Sequence, residues 1–265
     1  MHLVDTMTTL SQAAQRALTL MDLTSLNDDD TDRSIRQLCA RVSTPVGHPA
    51  AVCIYPDFIT TARHALAEQG LAGRVKVATV VNFPAGSDDI QRAAGETRDA
   101  VVRGADEIDV VFPYRALMDG DESTGRTLVE ACKSASGERC LKVILETGEL
   151  NDPALIRRAA DIAIDGGADF LKTSTGKVPV NATLEAAEIL LTAIRGKTDR
   201  HVGFKAAGGV RTTEDAKAYL DLAAGLMGDE WITPSYFRFG ASGLLDNLLE
   251  TLGLDQVHPQ PEGSY

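Results

Sequence analysis

The chain has 265 residues, of which 44% are hydrophobic and 24% charged, which is enough apolar material for a sizeable core. Its formal net charge at pH 7 is −12, from 26 basic and 38 acidic residues, and this argues against nucleic acid or an anionic membrane as the main partner. A phosphorylated small molecule stays compatible with this charge, because a local group of amides and cations decides such binding.

The cysteine pattern and the N-terminus both bear on the compartment. The four cysteines show no CxxC pair and no spacing typical of a disulfide framework; they are Cys39, Cys53, Cys132 and Cys140. No basic segment followed by an apolar run opens the chain, so we expect no signal peptide. No stretch approaches the roughly 18 consecutive apolar residues of a membrane span. The sequence therefore predicts a cytoplasmic protein with reduced thiols.

Short apolar runs typical of buried strands alternate with amphipathic stretches along the whole chain. The predicted strands cover 19–23, 50–55, 75–81, 107–112, 140–146, 169–173, 202–205 and 236–239. One helix start is marked by Asp152 and Pro153, an N-cap residue followed by proline at the first helical position.

Eight strand–helix units over about 235 residues match the size of a (β/α)8 TIM barrel. An open doubly wound sheet is the alternative. We expect a single α/β domain over 1–256 with an additional N-terminal helix. The composition of 257–265 predicts a flexible C-terminal tail.

Lys172 ends the apolar run of 168-ADFLKTSTGK-177. Burial of an unpaired ammonium group is costly, so lysine is rarely found in a buried strand without a role. The alternative interpretation is a lysine that extends to the rim or pairs with a carboxylate. Lys172 alone is therefore a weak indication of chemistry.

Lys205 also closes an apolar strand, one unit further along the chain, in 202-VGFKAAGGVR-211. Neighbouring strands lie about 4.8 Å apart, so two inward lysines at equal height would lie within several ångströms of each other. Like charges at that distance, together with partial desolvation, lower the pKa of an amine. One lysine can then be neutral near pH 7, as attack on a carbonyl requires.

Carboxylates occupy a third predicted strand, where a period of two places Glu107 and Asp109 on the face opposite the apolar residues. If the apolar face packs against helices, both carboxylates point into the barrel, where one could shuttle the protons of Schiff-base chemistry. The alternative is a structural ion pair with Lys142, an interpretation that suits Glu107 better than Asp109. Asp22 is a further embedded carboxylate, and it could equally cap the next turn.

Glycine-rich loops follow the sixth, seventh and eighth predicted strands. They contain Gly176 with Lys177, Gly208 and Gly209 with Arg211, and Gly240 with Ser242. Backbone amides in such loops bind anions, and phosphate sites of TIM barrels commonly follow strands seven and eight. A single glycine could merely terminate a strand, but three neighbouring loops favour a phosphate site.

The histidines show no HxH or HExxH spacing, so the sequence predicts no metal site. The five are His2, His48, His64, His201 and His258. Cys53 is interpreted as a packed apolar thiol rather than a nucleophile.

Eight segments that span almost the whole chain in order carry a family resemblance. They are LMDLTSLNDDDT (20–31), AVCIYP (51–56), NFPAG (82–86), ADEIDVVFPYRALM (105–118), LKVILETGEL (141–150), ADFLKTSTGK (168–177), GFKAAGGVRT (203–212) and FRFGAS (237–242). Together they resemble the deoxyribose-phosphate aldolase family. The resemblance implies a class I aldolase that reversibly cleaves 2-deoxy-D-ribose 5-phosphate to acetaldehyde and D-glyceraldehyde 3-phosphate, without a metal or organic cofactor.

By motif position, the resemblance implies that Lys172 forms the Schiff base, that Lys205 tunes it, and that Asp109 relays protons through a water. Asp22 would orient the substrate or the relay. Tyr265 would swing from a mobile tail into the site and assist protonation of the enamine carbon. The implied phosphate cradle consists of Gly176, Gly208, Gly209, Gly240 and Ser242.

Two positions depart from the family pattern. Ala206 stands where proline often follows the second lysine, and Gly243 stands where a second serine often follows Ser242. Neither change removes a group that the reaction requires, although loss of the serine hydroxyl could weaken phosphate binding.

Three other functions stay open at this point. They are a Schiff-base aldolase or transaldolase for a longer ketose phosphate, a non-catalytic phosphosugar-binding barrel, and a metal-dependent phosphosugar isomerase or epimerase. The expected partners are sugar phosphates and aldehydes, with no nucleic acid and no membrane. The resemblance is also compatible with a homodimer.

Overall fold

The computed structural model describes residues 9–197 and 200–254. Within them, eight parallel strands form a closed barrel in sequence order, and β8 pairs with β1 to complete it. The strands are β1 Met21–Thr24, β2 Ala51–Ile54, β3 Lys76–Val81, β4 Glu107–Val111, β5 Cys140–Ile144, β6 Phe170–Lys172, β7 Gly203–Ala207 and β8 Phe237–Ala241.

Helices alternate with the strands, and one helix precedes the barrel. They are α1 Leu10–Thr19, α2 Asp32–Ala40, α3 Ile59–Glu68, α4 Ile90–Arg103, α5 Tyr114–Met118, α6 Glu122–Ser136, α7 Thr147–Leu150, α8 Pro153–Asp165, α9 Leu184–Arg195, α10 Thr213–Met227 and α11 Leu244–Thr251. The described part of the chain thus follows a (β/α)8 pattern with an extra N-terminal helix.

The predicted fold is confirmed, and the alternative of an open doubly wound sheet is wrong because β1 pairs with β8. Each predicted strand has a counterpart within a few residues. The first was predicted to begin too early, since Thr19 is the last residue of α1. The predicted tail at 257–265, and Tyr265 with it, lie outside the described residues.

Local capping explains several helix starts. The Asp152 side chain accepts a hydrogen bond from the Ala154 amide, with Pro153 at the first helical position, as the sequence predicts. Thr212 and Asp215 form a reciprocal capping box at α10, which follows directly on the glycine loop after β7. These caps fix where the loops at the carboxyl ends of the strands stop.

Two apolar regions hold the barrel together. The larger lies between the strands and the surrounding helices and includes Ile108 and Val110 of β4. The smaller joins Leu26, in the loop after β1, to side chains of β2 and β3, namely Ala51, Cys53, Ala78 and Val80. No helix in the described ranges is both long and apolar enough to cross a membrane.

Candidate active site

A cavity of about 620 Å³ opens among the loops that follow β1, β6, β7 and β8. Lys172, which is 3% exposed, forms part of its wall. The same wall contains all five residues of the predicted phosphate cradle: Gly176, Gly208, Gly209, Gly240 and Ser242. The buried lysine and the glycine loops therefore face one space, as a sugar phosphate requires.

Charged side chains are concentrated beneath this cavity, inside the barrel. Seven buried groups form a continuous set of ion pairs, here called the ionic cluster: Asp22, Glu107, Asp109, Lys142, Lys172, Lys205 and Arg238. Four are basic and three are acidic. Buried charges on this scale persist only when they are paired.

Lys172 and Lys205 are direct register partners on β6 and β7. Their ammonium nitrogens donate to the same atom, Asp109 Oδ2, at 2.9 Å and 2.8 Å. Two amines held on one carboxylate oxygen repel each other's protons. The two lysines predicted to be neighbours are thus brought together, and Asp109 is their common partner.

Asp22 is not a helix cap, because Thr31 caps the following helix α2. Its carboxylate instead accepts from Lys205 Nζ at 2.5 Å and from the Arg238 guanidinium at 2.6 Å. Closure of the barrel makes these contacts, since β1 pairs with β8. Asp22 therefore belongs to the ionic cluster.

The predicted ion pair between Glu107 and Lys142 is present at 2.6 Å. Lys142 Nζ also donates to Asp109 Oδ1 at 2.8 Å, a contact that the sequence favoured less. Lys142 is fully buried and lies between the two carboxylates of β4. Asp109 thus accepts from three lysines at once.

The balance of burial and pairing differs between the two lysines. Burial lowers the pKa of Lys172, and the charge of Lys205 adds to the decrease, which outweighs the attraction of Asp109. Burial also acts on Lys205, but Asp109 and Asp22 together raise its pKa above the ordinary value. Lys172 is consequently the better candidate for the neutral amine.

Asp109 stays ionised despite complete burial. Burial would raise its pKa, but the charges of Lys142, Lys172 and Lys205 hold that pKa well below the ordinary value. A carboxylate in this state accepts hydrogen bonds from the neighbouring amines and can pass protons through a bridging water.

Backbone conformation and close packing explain two of the predicted glycines. Gly208 has a φ of +80°, and a Cβ there would lie 2.7 Å from the Asn181 Cβ. Gly240 leaves room for the second lysine, because a Cβ there would lie 2.8 Å from Lys205 Cε. Gly240 thus serves the ionic cluster as well as the cavity wall.

Glu146 was not predicted as a site residue. It is a buried non-glycine residue with a φ of +57°, and its carboxyl accepts from the Thr175 amide at 3.1 Å and hydroxyl at 2.6 Å. Burial raises its pKa. The strained backbone and these bonds hold the loop that follows Lys172.

Sequence reasoning also missed Arg238 and gave Lys142 only a structural part. Both interrupt otherwise apolar strands, in FRFGA and CLKVI. A charged residue inside an apolar strand, repeated on several strands of one predicted barrel, is the signal that could have found them. Cys53 is fully buried, as predicted, and burial raises the pKa of its thiol.

The comparison with protein families identifies the chain. A model of the DeoC/LacD family aldolases matches residues 16–247, which is most of the sequence. The chain belongs to the DeoC/LacD aldolase family. It is therefore an aldolase, and the non-catalytic barrel and the isomerase or epimerase are set aside.

Solved structures resemble this family member over nearly its whole length. A candidate deoxyribose-phosphate aldolase from Toxoplasma gondii is 27% identical, with a TM-score of 0.85 and coverage of 93% of this chain and 97% of the other. A candidate deoxyribose-phosphate aldolase from Coccidioides immitis is 28% identical, with a TM-score of 0.78 and coverage of 90% and 86%. A tetrameric deoxyribose phosphate aldolase from Aeropyrum pernix is 25% identical, with a TM-score of 0.69 and coverage of 92% of each chain.

Proposed function

We propose that this DeoC/LacD family member is a class I aldolase that reversibly cleaves 2-deoxy-D-ribose 5-phosphate to acetaldehyde and D-glyceraldehyde 3-phosphate. The observation that carries the proposal is the position of Lys172. This lysine is buried, its pKa is lowered, and it lines a cavity that is also lined by glycine loops suited to an anion.

The first half of the reaction forms the imine. The neutral Lys172 amine adds to the C1 aldehyde of the open-chain sugar, and the carbinolamine loses its hydroxyl group as water to give a protonated imine. Asp109, through a water molecule, accepts and returns the protons of these two steps. The Lys205 ammonium group, whose nitrogen lies 2.8 Å from Asp109 Oδ2, keeps Asp109 ionised for this proton transfer.

The second half breaks the carbon–carbon bond. The C3 hydroxyl loses its proton, the C2–C3 bond breaks, and its electron pair moves toward the iminium nitrogen to form an enamine. C3 leaves as the aldehyde of glyceraldehyde 3-phosphate. The enamine takes a proton at C2, and hydrolysis of the resulting imine releases acetaldehyde and the free lysine. On the family resemblance, we assign assistance in this protonation to Tyr265.

The phosphate end is assigned to the glycine loops. Gly176, Gly208 and Gly209 all have positive φ angles of +80° to +87°, and with Gly240 and Ser242 they line the same cavity as Lys172. Lys177 and Arg211 add cations to that wall. Backbone amides together with two cations suit a phosphate monoester even in a protein of net charge −12.

A longer ketose phosphate is the competing substrate within the Schiff-base class.

Three of the four cysteines are buried, the fourth is half-buried, and all are free thiols, which fits the expected reducing cytoplasm. The homodimer stays a prediction.

The retro-aldol assay tests the proposal directly. Wild-type protein should release equal amounts of acetaldehyde and glyceraldehyde 3-phosphate from 2-deoxyribose 5-phosphate. Lys172→Leu should lose activity by a factor of about 10⁴ or more, because no other group forms the imine. It should still fold, since Asp109 keeps Lys142 and Lys205 as partners.

The matched control is Lys217→Leu, which removes a partly buried lysine that pairs with Asp221 on α10, outside the cavity lining. It should keep wild-type activity. Turnover by Lys172→Leu at a rate near that of the control would contradict the assignment of the Schiff base. Cleavage of a longer ketose phosphate in preference to deoxyribose phosphate would instead favour the competing substrate.

A further inference from the structure

Glu107 and Arg238 lie near the amino-terminal ends of β4 and β8 and have no part in the reaction as described. The Arg238 guanidinium donates to the two Glu107 oxygens at 2.8 Å and 3.1 Å and to Asp22 at 2.6 Å, while its Nε donates to the Pro234 carbonyl at 2.5 Å. Within the described residues, neither side chain lines the cavity that Lys172 faces. Contact with substrate therefore does not explain why a third carboxylate and a fourth cation are buried here.

Two chains of ion pairs connect Glu107 and Arg238 to Lys172. One runs from Glu107 through Lys142 and Asp109 to Lys172, with contacts of 2.6, 2.8 and 2.9 Å. The other runs from Arg238 through Asp22 and Lys205 to Asp109, with contacts of 2.6, 2.5 and 2.8 Å. Both chains therefore include Asp109, the carboxylate that pairs with Lys172.

The number of carboxylate partners ranks the four cations. Lys142 contacts three carboxylates, while Lys205 and Arg238 contact two each. Lys172 contacts one among the described residues, Asp109. The three carboxylates thus balance the three better-paired cations, and Lys172 is the cation in excess. If the charge of the cluster changes, Lys172 will therefore gain or lose its proton to restore the balance.

We propose that Glu107 and Arg238 are positioning residues that set the protonation state of Lys172 through the charge balance of the ionic cluster. The inference rests on the proposed function, because it explains how the Schiff-base lysine is kept as a free amine. Removal of the Arg238 charge leaves the carboxylates in excess, and they will hold a proton on Lys172. Removal of the Glu107 charge has the opposite effect.

Other groups near Lys172 do not replace this pair. Cys53 of β2 and Glu146 after β5 both lie close enough to interact with it. Burial raises the pKa of both groups, which favours their neutral forms. Among the described residues, Lys172 contacts Asp109 of β4, which links it to Lys142 of β5, Lys205 of β7 and, through them, Asp22 of β1, and all four belong to the ionic cluster.

The test measures the pKa of Lys172 without relying on catalysis. Competitive acetylation with isotope-coded acetic anhydride over a range of pH, read by peptide mass mapping, gives the pKa of this amine in each protein. A unit charge roughly 10 Å away, at an effective dielectric constant of about 20, shifts a pKa by about one unit. Arg238→Gln should therefore raise the pKa of Lys172 by about one unit, and Glu107→Gln should lower it by about as much.

Charge-conserving variants separate charge balance from packing. The double variant Glu107→Gln/Arg238→Gln and the conservative Arg238→Lys both keep the balance, so each should show the wild-type pKa. Arg158→Met, which removes one partner of the half-exposed surface pair with Glu122, should also leave it unchanged. If Glu107 and Arg238 served packing alone, both single variants would let water into the cluster. The pKa of Lys172 would then move in the same direction in both.

Shifts in the same direction, or no shift in folded single variants, would overturn the inference. Glu107→Gln is nearly isosteric, so an unchanged or raised pKa in that variant suffices if Arg238→Gln does not fold. The proposed function is tested separately by wild-type turnover. Opposite shifts in a protein that lacks turnover would overturn the function alone, and missing shifts in an active enzyme would overturn this inference alone.

Discussion

Lys172 differs from the other buried lysines in the number of charges that surround it. Complete burial opposes the ammonium form of all three, yet only Lys172, with its single carboxylate partner, has a lowered pKa. Ion pairing outweighs desolvation for Lys142 and Lys205 and raises their pKa, whereas desolvation outweighs pairing for Lys172 and lowers its pKa. This small difference in local pairing separates a structural cation from the proposed nucleophile.

The charge of Lys205 should be essential for imine formation. Lys205→Met removes the cation that helps keep Lys172 neutral, so the pKa of Lys172 rises and less free amine is present at pH 7. It also leaves Asp22 and Asp109 with one cation fewer. We expect imine formation to slow by about 100-fold or more.

Single-turnover trapping of acetaldehyde over a pH series measures this effect. In the wild type the rate should fall as pH drops through the lowered pKa of Lys172, because the amine takes up a proton. In Lys205→Met the same limb should lie at higher pH. A limb at the wild-type position would show that Lys205 does not tune Lys172.

Lys177 should act on the phosphate end alone. Lys177→Met removes a cation from the cavity wall, and its Nζ also donates to the Leu26 carbonyl at 2.5 Å. We expect KM for deoxyribose 5-phosphate to rise about tenfold, as loss of one charge-assisted bond would give. The rate with unphosphorylated 2-deoxyribose, the internal control, should not change. An equal loss with both substrates would place Lys177 outside the phosphate site.

Helix packing against the barrel depends on where a side chain has room. Gly125 in α6 faces the Phe112 ring, and a Cβ there would lie 2.4 Å from Phe112 Cζ. Gly225 lies in α10, a helix of the same length of 15 residues, and a Cβ there would meet nothing within 4 Å. The two glycines therefore form a matched pair.

Gly125→Ala should destabilise the protein by about 1–3 kcal/mol, because the added methyl group displaces a core ring. Gly225→Ala should stabilise it by roughly 0.5–1 kcal/mol, because alanine loses less entropy in a helix. Urea unfolding of the two variants measures both values. Equal effects of the two substitutions would contradict the packing of α6 on Phe112.

The order of the elements could be predicted because each strand is a short apolar run and each helix has its own spacing and cap. The register of β6 and β7 was also accessible, since Lys172 and Lys205 stand at matching places in consecutive apolar runs. The partners of Asp22 were not accessible, because they depend on closure between β1 and β8. Arg238 was missed for the same reason, as its partners lie on β1 and β4.

At the scale of the whole molecule, the barrel interior divides into two halves. Apolar side chains of β2 and β3, with Leu26 after β1, fill one side, and the ionic cluster fills the other. A closed barrel excludes water from that cluster, which strengthens its electrostatic interactions and makes each unpaired charge costly. Stability and chemistry therefore depend on the same buried charges.

Acid should unfold the protein through this cluster. The cations of the cluster lower the pKa of Asp22, Glu107 and Asp109, although burial alone would raise it. Between these lowered values and the ordinary carboxyl pKa of about 4, the unfolded chain binds more protons than the folded one. The free energy of unfolding should therefore decrease as pH falls below about 5.

Urea unfolding at pH 7, 5, 4 and 3 measures this dependence. Asp57→Asn breaks a surface pair with Arg103 and should shift the curve by less than about 1 kcal/mol at any pH. A free energy of unfolding that stays constant from pH 7 to pH 3 would show that the buried carboxylates do not contribute as ionised groups.

Borohydride trapping with acetaldehyde, followed by intact mass and peptide mapping, is the most direct test of a Schiff base on Lys172. We expect one reduced two-carbon adduct per chain, located on Lys172 and absent from Lys172→Leu. No adduct, or adducts scattered over surface lysines, would contradict a Schiff base at this site.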